Sequence, residues 1–190
     1  MRVIAGTYRS RILKSLKGIA LRPTTDRLRE TLFNVLAPNI VGSRFVDLFA
    51  GTGAIGIEAL SRGAAEVIFI ENHAPAATLI RRNLESLGIT TGVTVLAVDV
   101  LRGLAMLAAR KNSGAPAFDH VFLDPPYAAA EGYARVLEFL GSADLLATGG
   151  IVIAEHRHNF DLCEEAGALR RFRVLKQGDA ALSFYRRLPL

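Results

Sequence analysis

From residue 45 onward the sequence alternates between short apolar runs and longer stretches with helical periodicity, an order that few folds accept. The runs cover residues 45–49, 67–70, 93–98, 120–123 and 151–154. Each is hydrophobic almost throughout, as strands buried on both faces of a parallel sheet are. Between them, residues 55–62, 74–87, 101–110 and 132–140 have the spacing of helices. In the second, Leu79, Ile80, Leu84 and Leu87 share a stripe while Arg81, Arg82 and Glu85 face away, and Gly88 follows as a cap. Residues 172–176 and 182–186 form two more strands around Gly178-Asp179, an antiparallel pair that closes the sheet. The expectation is an α/β, Rossmann-like fold with a mainly parallel seven-stranded sheet and an antiparallel last strand.

Ahead of this pattern, Thr25 or Asp26 can cap a helix over residues 27–36 that Pro38 ends. The domain expectation is therefore a small N-terminal extension over residues 1–38 and a main domain over 39–190. A chain of 190 residues, 51% of them hydrophobic, can bury one good core. No stretch approaches the roughly 20 apolar residues that cross a bilayer. The first residues also lack the apolar core of a signal peptide. With Cys163 as the only cysteine, a soluble cytoplasmic protein without disulfides is expected, a monomer by default.

Charge is distributed unevenly. Residues 1–29 hold Arg2, Arg9, Arg11, Lys14, Lys17, Arg22, Arg27 and Arg29 against Asp26 alone, a net +7 in a chain whose total is +5. A basic arm on a body of opposite net sign is the pattern of a surface that meets phosphates, because each cation that neutralises a phosphate releases counterions. Arg9, Arg11, Lys14, Lys17, Arg22, Arg27 and Arg29 are the candidate RNA contacts, with Tyr8 among them as a stacking group.

After the first buried strand comes Asp47-Leu48-Phe49-Ala50-Gly51-Thr52-Gly53-Ala54-Ile55-Gly56, and Glu71 lies twenty residues past Gly51 at the end of the next strand. Glycines at this spacing let backbone approach a nucleoside-containing ligand, and the later acid accepts hydrogen bonds from the ribose hydroxyls. A dinucleotide would set its pyrophosphate against the helix start, where an acid is unhelpful. S-adenosylmethionine has no phosphate and carries an ammonium and a sulfonium, which Asp47 suits. The loop therefore favours a methyl donor. Phe49, Ala50, Gly51 and Gly53 line it, Asn72 follows Glu71, and Asp99, after the third run, is placed either to accept from the adenine amine or to cap a helix.

The fourth run leads into Asp124-Pro125-Pro126-Tyr127, at the carboxyl edge where open α/β sheets bind ligands. Adjacent prolines fix φ twice and remove two amide donors, leaving rigid carbonyls with no local competitor. Asp124 and the Pro125 carbonyl can each accept a hydrogen from a substrate amine, while Tyr127 stacks on the base. Positioning and electrostatic stabilisation of the developing positive nitrogen are then enough, with no metal and no enzyme nucleophile.

Three segments together, Arg22-Pro23-Thr24-Thr25-Asp26-Arg27, residues 47–64 and Asp124-Pro125-Pro126-Tyr127, resemble the RsmD family of bacterial ribosomal RNA guanine-N2 methyltransferases, which have the class I fold. The likeness covers essentially the whole chain. It implies that Glu71 holds the ribose, Asp99 the adenine amine and residues 124–127 the guanine, with Asp124 also bordering the cofactor. Thr24 and Arg27 would serve the methionine end of the cofactor or the target entrance. The implied substrate is a small-subunit ribosomal particle.

Other residues carry less. His156 and His158 would share a strand face as exposed strand-end histidines, with no third metal ligand. Cys163, about 36 residues beyond the Asp-Pro-Pro-Tyr motif, suits helix packing better than nucleophilic attack on cytosine. An adenine-N6 DNA methyltransferase would use the same motif, since adenine also has an NH2 group, but would need a target-recognition domain for which this chain has no room. A protein-glutamine methyltransferase would not need the basic arm. An RNA-binding scaffold without turnover and a nicotinamide-dependent dehydrogenase are the remaining alternatives, separated by whether S-adenosylmethionine or NADH binds.

Overall fold

The computed structural model describes residues 1–15, 24–125 and 130–188. They fall into two compact units, Met1–Val98 and Asp99–Leu190.

In the first unit, helix α1 (Asp26–Leu36) starts where Thr25 Oγ1 accepts the Leu28 amide at 3.2 Å. It buries Leu28, Leu32, Phe33 and Leu36, and gives way to a 3-10 turn over Ala37–Asn39. Strands β1 (Arg44–Leu48), β2 (Glu66–Ile70) and β3 (Val93–Leu96) are parallel in the order β3-β2-β1, with Val46 opposite Ile68 and Ile68 opposite Thr94. Helices α2 (Ala54–Ser61) and α3 (Ala74–Ser86) make the connections. Gly88 ends α3 at φ +71°, with the Ile89 amide returning to the Leu84 carbonyl. β1 and β2 are buried almost throughout, whereas β3 is half-buried, because it has a neighbour on one side only and stops at Leu96 instead of Val98.

The basic N-terminus is folded. Its two arms meet at an antiparallel bridge between Arg2 and Ile12, the Val3 amide donates to the Arg11 carbonyl (3.0 Å) and the Leu13 amide to that of Met1 (3.0 Å). Val3 and Leu13 are buried. The hairpin rests on α2. Glu58 accepts the amides of Ile4 (2.7 Å) and Ala5 (3.0 Å) through its two carboxylate oxygens, and Ser61 Oγ accepts that of Tyr8 (3.0 Å). Gly6, at φ +82°, passes so close that a Cβ would stand 1.8 Å from the Ser61 carbonyl oxygen, so only glycine fits.

The second unit holds α4 (Val100–Asn112), β4 (Phe118–Leu123), α5 (Ala130–Ser142), β5 (Leu146–Arg157), β6 (Glu165–Ala166), β7 (Leu169–Gln177) and β8 (Ala180–Arg187). The strand order is β4-β5-β8-β7-β6. β4 and β5 are parallel and the remaining pairings antiparallel. β7 and β8 are joined through Gly178 (φ +60°) and Asp179, the expected hairpin. Among the described residues the two units thus contribute eight strands instead of seven. The addition is β6, whose two residues are too short to leave a hydrophobic pattern.

Three minor expectations are corrected here. His156 is buried within β5, its Nε2 2.8 Å from Ser183 Oγ, and burial pushes its pKa down; His158 lies exposed in the turn beyond. The two rings are not a pair on one face, and no group of metal-ligating residues occurs among the described residues. Cys163 is exposed in the loop between β5 and β6, not on a helix, and its carbonyl accepts the Tyr185 hydroxyl at 2.8 Å.

Candidate functional site

The first unit carries the glycine loop. β1 ends at Leu48, and Phe49 turns the chain at φ +59°, a left-handed conformation that costs a non-glycine residue about 1–2 kcal/mol. Gly51 (φ +56°) and Gly53 (φ +78°) continue the turn, pinned by the Ala50 amide on the Ile70 carbonyl (3.1 Å) and the Gly53 amide on the Ala50 carbonyl (2.7 Å). Gly56 serves packing: a Cβ there would lie 2.3 Å from the Phe69 ring, so α2 could not approach β2. At Gly51 an added Cβ would meet nothing nearer than 3.9 Å, which leaves the loop open to a ligand.

Glu71, 8% exposed, closes on this loop. Its Oε2 accepts the Gly51 amide at 2.7 Å and its Oε1 the His73 amide at 2.8 Å. A carboxylate has about four acceptor positions, so capacity remains for ribose hydroxyls while it also fixes the loop. Asn72 stands exposed beside it. Asp47 has a different place from the one its chemistry suggests. It is buried, and its Oδ2 accepts the Gly56 amide at 2.9 Å, supplying the acceptor for the first turn of α2 that Gly53, the N-cap, has no side chain to provide. Burial pushes the Asp47 carboxyl up to about 8, opposed by the Gly56 amide and reinforced by the Glu71 charge.

This shift has a stability signature. In the folded protein the Asp47 carboxyl keeps its proton up to about 8, whereas the unfolded chain releases it near its ordinary 3.8. Its contribution is complete below the lower value and is lost as pH rises towards the upper, by up to about 1.4 kcal/mol per pH unit. Unfolding measured across this window should show Asp47→Asn gaining on the parent as pH rises; parallel profiles would refute the assignment.

The second unit carries the other candidates. Asp124 and Pro125 follow β4 directly, Asp124 half-buried and Pro125 buried. Pro126 and Tyr127, like Lys17 and Arg22, lie outside the described residues. Asp99 caps α4: its Oδ1 accepts the amides of Leu101 (3.0 Å) and Arg102 (3.4 Å), and it stands three residues beyond the end of β3, exposed. Capping uses one carboxylate oxygen, and the other remains available as an acceptor.

Among the basic candidates, Arg9, Arg11, Lys14 and Arg27 are exposed, and Thr24 is half-buried at the approach to α1. Arg29 is corrected. It is 0% exposed, with Nη2 2.6 Å from the Arg2 carbonyl and 2.9 Å from Asp26, and Nε 3.9 Å from Glu58. It holds the N-terminal hairpin against α1 and cannot reach RNA. It falls on the apolar stripe with Phe33 and Leu36, four and seven residues on, so helical spacing already marks it as inward.

Glu58, Ser61 and Asn83, which seat the hairpin, carry no role in the sequence expectations. Asn83 Oδ1 accepts the Lys14 amide (2.9 Å), and its Nδ2 donates to the Lys14 and Thr52 carbonyls. Glu58 did leave a signal: it is the one charged residue within Ala54–Ser61, and a carboxylate there needs buried partners.

With this geometry in hand, the likeness to known proteins is specific. The Escherichia coli protein yhhF superposes with a TM-score of 0.85 at 30% identity, covering 100% of this chain and 99% of that one. Fold and site define a Rossmann-like protein of the class I methyltransferase type. YlbH of Bacillus subtilis (strain 168) is 37% identical over 187 residues, 98% of this chain and 99% of that protein. Ribosomal RNA small subunit methyltransferase D of Haemophilus influenzae is 41% identical over 127 residues, 67% of this chain and 64% of that protein. The family described as Conserved hypothetical protein 95 matches residues 1–186, and the chain belongs to it, the RsmD family.

Proposed function

We propose that this protein transfers a methyl group from S-adenosylmethionine to the exocyclic N2 amine of a guanine in small-subunit ribosomal RNA. The observation that carries the reading is that family likeness runs through residues 1–186, so it includes the basic hairpin as well as the glycine loop and the Asp124 motif. The open, amide-lined loop at Gly51 and the Glu71 carboxylate beside it suit a ribose-bearing cofactor. When bound, S-adenosylmethionine supplies an electrophilic methyl carbon on a positively charged sulfur. Glu71 accepts from the ribose hydroxyls, and Phe49, Ala50, Gly51 and Gly53 form the surface on which the nucleoside lies. The Asp124 carboxylate and the Pro125 carbonyl accept the two N–H groups of the target amine, aim its lone pair and stabilise the positive charge that develops as the N–CH3 bond forms and the S–CH3 bond breaks; the surplus proton leaves the nitrogen along the hydrogen bond to Asp124. Tyr127 stacks on the base. Residues 1–38 form the RNA-facing part, and the substrate is a small-subunit particle met in the cytoplasm by a monomer.

The direct test is to map N2-methylguanine in small-subunit ribosomal RNA from cells with and without the gene. One guanine should lose its methyl group, and an unchanged map refutes the proposal. Two narrower results are expected. Glu71→Ala should weaken S-adenosylmethionine binding by about 10- to 100-fold in calorimetry, as loss of a charge-assisted acceptor predicts; unaltered affinity would displace Glu71 from the ribose. Replacing Arg9, Arg11 and Lys14 together by Ala should flatten the salt dependence of RNA binding by about two to three units of log–log slope. An unchanged slope would make the arm a solvated surface.

A further inference from the structure

The charge at the other end of the chain is as concentrated as that at the start. Residues 169–187 hold Arg170, Arg171, Arg173, Lys176, Arg186 and Arg187 against Asp179 alone, a net +5, while the 139 residues before them, 30–168, sum to −7. All six cations lie on the antiparallel pair β7 and β8. Three are engaged by acids: Arg170 by Glu165 (3.4 Å), Arg171 by Asp161 (3.3 Å) and Glu164 (3.6 Å), and Arg187 by Asp144 (3.1 Å). Arg173 and Arg186 are held by rings instead. The Arg173 guanidinium carbon stands 5.9 Å from the centroid of Phe184, and that of Arg186 stands 5.3 Å from the centroid of Phe172. Among the described residues, neither arginine nor Lys176 pairs with a carboxylate.

A register shift between Arg171 and Arg173 produces this arrangement. The bulged Phe172 has no partner on β8, so Arg170 and Arg173, opposite Arg186 and Phe184, project to the same side with Phe172 between them. Phe172 remains 46% exposed, and Arg173, Lys176 and Arg186 are exposed as well. A guanidinium held over a ring by cation–π attraction loses side-chain freedom while its N–H groups remain available to a phosphate. β7 beyond Arg171 has no outer strand among the described residues, and charge on an edge strand also deters pairing between molecules. Either sign would serve that purpose, however, and a single sign without acid partners selects for a polyanion.

We infer that the Arg173 and Arg186 face of β7 and β8 is a second RNA-binding surface, one that takes the phosphate backbone of the ribosomal RNA substrate; Lys176, opposite Ala181, points to the other face. This rests on the RNA reading proposed above and adds a contact remote in sequence from the basic hairpin.

The test measures binding to a transcript of small-subunit ribosomal RNA across a salt series for the parent, for Arg173→Gln/Arg186→Gln, and for the variant with both arginines changed to Lys. The Gln variant should lose about two units of slope. The Lys variant should keep the slope, and both should bind S-adenosylmethionine as the parent does, which reports an intact fold. Should the double Gln change itself disturb folding, Arg186→Gln alone should still remove about one unit. A parental slope in the Gln variants overturns the inference. So does loss of binding to small-subunit particles with the slope on naked RNA retained, which assigns the face to a ribosomal protein. If the parent itself shows no salt-dependent RNA binding, the RNA reading fails and this surface with it; a parental slope that falls in the Arg9, Arg11 and Lys14 variant but not in the Gln variants removes the second surface alone.

Discussion

Asp124→Ala should lower the rate of methyl transfer by about 10²- to 10³-fold while leaving S-adenosylmethionine affinity within a few fold. The magnitude is that of losing one preorganised group aimed at charge that develops only in the transition state. Asp124 follows the last residue of β4 with no intervening loop, and Pro125 behind it is buried, so its carboxylate is placed by the strand. The target amine is nearly neutral in the ground state and positive as the new bond forms, so the loss should appear in kcat much more than in KM. Asp124→Asn should also be impaired, because half of the amide presents hydrogens to an NH2 group. Single-turnover kinetics with calorimetry on the same variant decide the matter. If cofactor affinity falls in parallel with the rate, Asp124 holds the cofactor and the amine-binding role is wrong.

Glu58→Ala should destabilise the protein by about 3–5 kcal/mol. Glu58 and Arg29 are both fully buried, and removing Glu58 takes away a buried counter-charge and leaves Arg29 with the exposed Asp26 as its remaining carboxylate. The change also strands the Ile4 and Ala5 amides and the Arg62 Nε, which donates to Glu58 Oε1 at 2.8 Å. In a protein of this length that should lower Tm by about 6–20 °C. Amide exchange should localise part of the loss to residues 3–11, whose hydrogen bonds depend on the carboxylate. A loss below about 1 kcal/mol, or unchanged protection of the hairpin, would show that the N-terminus is seated by Val3 and Leu13 alone.

How much of this was legible in the sequence depended on whether a local pattern determined it. The helices and the first four strands appeared within a few residues of their expected places, because periodicity is a direct consequence of which side is buried; β5 runs from Leu146 to Arg157, well beyond the expected 151–154. Gly51, Gly53 and Glu71 were legible for the same reason: the turn demands positive φ, and the acid must sit one strand away. β6 was not, since two residues carry no period. Asp47 and Asp99 show another limit. A carboxyl group at either position can satisfy a helix amide or a ligand, and only coordinates reveal that both bond helix amides. Arg29 was misassigned by counting charge without asking which side of α1 it occupies. The β7 and β8 cations escaped because a sum over residues 30–190 cancels them against the acids between.

The hairpin of residues 1–15 and the glycine loop are attached to the same short helix, one at Glu58 and Ser61, the other at its first turn. The basic side chains are therefore mounted on the element that shapes the cofactor loop, instead of trailing from it on a tether. If the hairpin meets RNA as proposed, a mount of that kind has little conformational entropy left to lose when a polyanion arrives, so discrimination should come from geometric match, and an RNA whose backbone does not follow the outline of the hairpin should bind less well.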